Sequence, residues 1–164
     1  MKVLIMSRSE AVLYCYFPHK EQTCMISISD PHMQYRHIPF CTDENRIKCI
    51  LKLCFADADK TGSDVYGHET DIDDLMSDAD AESIAALIDA HPEHPVIVHC
   101  DAGISRSAGV AAAILKYYTG DDSYVFENPR FHPNMWCYRK TLCALMDHTG
   151  LPNGKKIDEE TSYD

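Results

Sequence analysis

The sequence has no apolar run approaching the roughly 20 residues that a membrane-spanning helix needs. Its N-terminal VLIM is too short for a signal-peptide core of about 7 to 15 apolar residues. No membrane partner is expected, and a cytoplasmic location is the default. Positive charge is scarce: 15 Lys and Arg face 26 Asp and Glu, for a net charge of -11. That overall field argues against nucleic acid as a partner. It leaves room for a small pocket made positive by a few local donors. No C-x-x-C pair occurs among the eight cysteines, which disfavours a zinc ribbon or a thioredoxin-like site. His91 and His94, in HPEHP, have no second ligand set beside them in the chain and read as surface loop. No metal and no cofactor are expected. Internal repeats and low-complexity blocks are absent as well.

What is present suits an ordinary globular domain, with 45% hydrophobic and 25% charged residues in a chain of 164. Residues 1–149 are expected to form one domain and 150–164 a polar tail. VLIMS, TCMISISD, IKCILKLCF and PVIVHC read as strands, the third and fourth buried. Helices are expected over 9–17, from Ser77 to about Ala90, over 106–118 and over 134–148. Ser77 with Asp80 gives the second of these a helix-start signal. Residues 57–74 are polar, acidic and Gly-containing, and read as a long loop. Strands alternating with helices indicate an α/β fold, with a central, mostly parallel sheet flanked by helices. The cysteines other than Cys100 sit mostly beside apolar residues and read as buried, reduced thiols.

The decisive segment is VIVHCDAGISRSAGVAAAIL. A hydrophobic strand ends at His99-Cys100, a short loop carries Gly103, and a helix begins near Arg106. Such a loop can turn the amides of Asp101, Ala102, Gly103, Ile104 and Ser105 inward as an anion nest, and the helix start adds positive potential. Gly103 permits a backbone shape that other residues resist. The same field favours the thiolate of Cys100, a good nucleophile. Arg106 has the planar fork that clamps two phosphate oxygens. Ser107 can donate a hydrogen bond to the Cys100 sulfur and ease its departure. His99 is expected to order the loop by hydrogen bonding. Composition alone predicts roughly 0.03 chance matches to C-x5-R-[ST] in such a chain.

HCDAGISRS closely resembles the H-C-x-x-G-x-x-R-[ST] signature of protein tyrosine phosphatases, especially the compact dual-specificity group. Downstream, HPNMWCYRKTL resembles the P-N-x-x-F-x-x-Q-L helix start of that group, with Cys137-Tyr138 and Thr141-Leu142 as departures. The resemblance covers roughly residues 23–148. It implies a protein tyrosine phosphatase-like fold and a phosphomonoester hydrolase working through a phosphocysteine at Cys100. It also implies that Asn134 supports the phosphate loop by hydrogen bonding.

The family further implies an Asp that protonates the leaving oxygen and later activates water. Family spacing points to residues 68–71, whereas the strand logic of ILKLCF points to Asp57. Asp59, Asp71, Asp73 and Asp74 remain as alternatives. DADKTG, starting at Asp57, looks like half of a calcium loop, but His68 stands where its Glu is required. Arg130 and His132, ahead of Pro133-Asn134, are candidates for the pocket rim. An acid at Asp101, where polyphosphate and lipid-phosphate members of the superfamily often carry Lys, disfavours polyanionic substrates. The expected partner is a phosphorylated protein or a small phosphomonoester. Two other readings stay open: a catalytically weak phosphate-binding pseudophosphatase, and a polyphosphate or RNA-end phosphatase.

Overall fold

In the computed structural model, which describes residues 1–148, the chain alternates strands and helices. In order these are β1 (Val3–Met6), α1 (Arg8–Cys15), β2 (Thr23–Ser29), β3 (Ile47–Cys54), β4 (Gly62–Ser63), β5 (Glu69–Thr70), α2 (Asp78–Ala90), β6 (Val96–His99), α3 (Arg106–Thr119), α4 (Ser123–Phe126) and α5 (Met135–His148). The expected tail over 150–164 lies outside the described residues.

Four strands form one sheet in the order β1-β6-β2-β3, and every neighbouring pair is parallel. Successive side chains therefore alternate between two cores. Ile26, Ile28, Val96 and Val98 pack against residues of α2, α3 and α5. Met25, Ile47 and Ile97 pack on the other face against Ala11 and Cys15 of α1. Parallel strands also share one C-terminal edge. Met6-Ser7, Ser29-Asp30, Cys54-Phe55 and His99-Cys100 are all delivered there, which is where open α/β sheets place their sites.

Local signals explain the helix starts. Ser7 with Glu10, and Ser77 with Asp80, form reciprocal capping boxes. Each satisfies amides that have no partner inside the helix.

Several expectations change. β3 is an edge strand rather than a buried one: Lys48, Lys52 and Cys54 are exposed, and charged side chains suit an edge. The buried-thiol reading holds for Cys15, Cys24 and Cys137, while Cys41, Cys54 and Cys143 are exposed and Cys49 is half-buried. The long acidic segment contains the short antiparallel pair β4–β5. Helix α4 was not anticipated, because four residues carry too little periodicity to read. α3 is buried on all sides from Arg106 to Ile114, not on one apolar face, because α5 and α4 also pack on it.

The α3–α5 approach depends on Gly109. A β-carbon there would lie 2.3 Å from the Asn134 carbonyl oxygen and 3.2 Å from Cys137 Cβ. Alanine normally stabilises a helix interior by about 1 kcal/mol over glycine. Here the sign is expected to reverse, with Gly109→Ala costing about 1–3 kcal/mol in denaturant unfolding. A stabilised variant would show that the two helices separate freely.

Candidate active site

β6 ends at His99, and Cys100 follows at the shared edge of the sheet. The chain then turns back into α3 through a loop whose shape rests on Gly103, with φ at 70°. A β-carbon on Gly103 would sit 2.6–2.7 Å from backbone atoms of Met6 and Ser7. The loop can press against the end of β1 only because it carries none.

The loop's carbonyls are bound from outside. Asp101 O accepts the Arg8 amide at 3.1 Å, and Ile104 O accepts the His132 amide at 3.0 Å. Ser105 O accepts the amides of Gly109 and Asn134. The amides of Asp101 to Ser105 donate to no protein acceptor among the described residues. They are the donors available to an oxyanion. The start of α3 reinforces them. Unlike Ser7 and Ser77, Ser105 makes no capping bond. Its hydroxyl donates instead to Asp57 Oδ1 at 2.7 Å. The positive end of the helix dipole is left uncapped at the loop.

Cys100 lines a cavity of about 560 Å³ together with Ala102, Ile104, Ser105 and Asp57. Its sulfur lies 3.1 Å from Ser107 Oγ. His99 is fully buried, and burial pushes its pKa down to about 4, so the ring is neutral at pH 7. A neutral imidazole has one N–H, and a carbonyl can only accept. The proton therefore sits on Nδ1, 3.2 Å from Cys100 O, and Nε2 accepts from Ser27 Oγ at 2.7 Å.

Arg106 does not present an open fork to the cavity. Its side chain is fully buried beneath the loop. Nη1 donates to Phe55 O at 2.8 Å and Ser29 O at 3.3 Å, and Nη2 donates to Asp101 Oδ2 at 2.8 Å. Only Nε lacks a hydrogen-bond partner, lying 3.8 Å from Asp57 Oδ2. Burial opposes the charge, but Cys100, Asp57 and Asp101 outweigh it and raise the guanidinium pKa further. The physical reason for the altered placement is the sheet edge. The ends of β2 and β3 leave carbonyls there that need a donor.

Asp101 likewise differs from its expected part. Its carboxylate faces protein, accepting from Tyr35 Oη at 2.8 Å, Arg8 Nε at 3.1 Å and Arg106. Burial would raise its pKa, but the Tyr35 bond and the two arginines lower it overall. Only its backbone belongs to the nest. The sequence reading missed Arg8 and Tyr35. The position of Arg8 just after β1, at the shared edge, was a usable signal; Tyr35 carried none.

Among the candidate acids, Asp57 is buried and Asp59 exposed, and both line the cavity. Asp71, Asp73 and Asp74 do not line it. Asp71 and Asp74 cap the short helical turn Ile72–Asp74 instead. The Asn134 side chain does not hydrogen-bond to the Cys100 loop. Its Nδ2 donates to Asp57 Oδ1 at 3.0 Å and to Ala58 O at 3.1 Å. Its backbone amide is what holds the loop, at Ser105 O. His132 lines the cavity, whereas Arg130 pairs with Glu10 at the surface. Asp64, in the calcium-like segment, spends its carboxylate on the amides of Tyr66 and His68 and on the His68 ring.

No sequence-family model matches the chain, and no curated protein matches it. Solved structures do. Human DUSP28 is 17% identical, with a TM-score of 0.53 over 90% of this chain and 94% of that one. The human tyrosine phosphatase-like serine/threonine/tyrosine-interacting protein is 20% identical, with a TM-score of 0.55 over 90% and 91%. The fold is therefore that of the compact protein tyrosine phosphatase-like proteins, a parallel sheet flanked by helices.

The neutral His99 ties stability to pH. The unfolded chain takes up a proton near pH 6.5, while the folded one resists until about pH 4. Stability is full above pH 6.5 and falls as pH drops toward 4, by roughly 3 kcal/mol from this group. The His99→Gln variant should lack that portion of the slope when unfolding is followed across the same range. An unchanged slope would place the loss in other groups.

Proposed function

We propose that the chain is a metal-independent phosphomonoester hydrolase of the protein tyrosine or dual-specificity type, acting through a phosphocysteine. The observation that carries this reading is the meeting of four features in one cavity: the Cys100 sulfur, the unsatisfied loop amides, the uncapped start of α3 and the Asp57 carboxyl group. The Cys100 thiolate attacks phosphorus, an S–P bond forms, and the bond to the leaving oxygen breaks. Protonated Asp57 gives its proton to that oxygen. Water then attacks phosphorus and passes a proton to Asp57, and the S–P bond breaks with the Ser107 hydroxyl donating to the departing sulfur. The loop amides and the Arg106 charge beneath them stabilise the phosphoryl oxygens.

The cavity walls support a single phosphate on an uncharged or basic carrier, as in a phosphorylated protein or a small monoester. Asp59 and Asp64 join Asp57 in the lining, which includes no Lys or Arg among the described residues. Such walls oppose a polyphosphate or an RNA end. All eight cysteines are unpaired, which suits the reducing cytoplasm. No described helix is long and apolar enough to cross a membrane.

One observation favours a second reading, a phosphate-binding protein with weak turnover. Both Nη groups of Arg106 are already held by Asp101 and by backbone carbonyls. Hydrolysis of an aryl phosphate separates the two. Wild type should turn it over and Cys100→Ser should not; equal rates, or none from either protein, would overturn the hydrolase. With a poor leaving group, Asp57→Asn should lose about 10²–10⁴-fold in rate while Asp59→Asn loses little. The reverse order would transfer the acid role to Asp59.

A further inference from the structure

At the opposite edge of the sheet from Cys100, strand pairing assembles donors that lie far apart in the chain. The register of β2 against β3 is irregular between Thr23 and Cys24. Thr23 pairs with Ile47, but Cys24 pairs with Cys49, so Lys48 is passed over. A bulge of this kind re-aims a side chain. Here it sets two cysteines side by side. The Cys24 amide also donates to Pro95 O at 3.0 Å, which draws the HPEHP turn onto the same strand ends. The two sulfurs and a ring nitrogen of His91 all lie within 4.8 Å of one another. His91 also forms a second group within that distance with Glu93 and His94. The second ligand set that the histidines lack in sequence is thus supplied across the sheet.

We propose that Cys24, Cys49 and His91 bind a zinc ion, with His94 or Glu93 of the same turn as the fourth ligand. Two thiolates with an imidazole select zinc over the hard cations calcium and magnesium, which prefer oxygen. Four protein ligands make a closed, structural site rather than a catalytic one. Cys24 is fully buried, whereas Cys49 and His91 are half-buried, which leaves a way in from the turn. The ion ties the link between α2 and β6 to the starts of β2 and β3. A thiol must lose its proton to bind zinc, so affinity should fall as pH falls.

Cobalt(II) tests the site, because a cobalt–thiolate bond absorbs light whereas zinc is silent. The full-length protein is reduced, stripped with a chelator and titrated with cobalt(II). One equivalent should bind with thiolate absorption, zinc should displace it, and zinc should raise the melting temperature. Cys49→Ser and His91→Ala, at half-buried positions, should each lose the one-equivalent binding. Cys100→Ser should keep it, which separates this site from the catalytic thiol. The proposal is overturned if no thiolate absorption develops, or if the absorption survives Cys49→Ser and disappears in Cys100→Ser. A Cys24–Cys49 disulfide in protein purified without reductant, with no metal bound after reduction, would also overturn it.

Discussion

The site depends on which way the peptide groups of one short loop face. Amides can converge on an anion only if the carbonyls between them are satisfied elsewhere, since buried polar groups are costly to leave unpaired. Here the preceding residue His99 serves Cys100 O, and distant segments serve the rest: the Arg8 amide for Asp101 O, and the segment around residues 132–134 for Ile104 O and Ser105 O. Gly103 makes the arrangement sterically possible by letting the loop lie against the end of β1.

The same supports couple the Cys100 loop to the Asp57 loop. Ser105 begins α3, and its hydroxyl holds Asp57. Asn134 begins α5, where its side-chain oxygen accepts the Cys137 amide. Its amide groups hold Ser105 and Asp57 at once. Gly109 lets α5 approach closely enough for this. A packing choice between two helices therefore positions a carboxyl group beside a thiol. Arg106 serves the same assembly from below, where it satisfies the carbonyls at the ends of β2 and β3.

Much of the framework was legible in the sequence because its signals are local. Short apolar runs marked β2 and β6. Ser77 with Asp80 marked the start of α2, and the run from Cys100 to Ser107 marked a strand-loop-helix turn. The misread parts involve partners distant in sequence. β3 reads as apolar, yet its place at the sheet edge exposes Lys48, Lys52 and Cys54. Asn134 announces a helix start, but nothing nearby says that its side chain will find Asp57, 77 residues away in sequence. The pairing of Cys24 with Cys49 follows from a register irregularity that no spacing rule could detect.

By itself, the sequence determined the identity and order of the reactive groups: a thiol at a strand end, a glycine three residues on, and an arginine and a serine at the start of a helix. These lie within eight consecutive residues, so short-range backbone geometry relates them. Tertiary structure decided what each group faces. It bound both Nη groups of Arg106 to Asp101 and two carbonyls, and it chose Asp57 and Asp59 to line the cavity over the later acids. It also gathered Cys24, Cys49 and His91 at the far edge. The reason is that hydrogen-bond partners and burial depend on which strands become neighbours, and strand order is settled only when the whole sheet closes around its two cores.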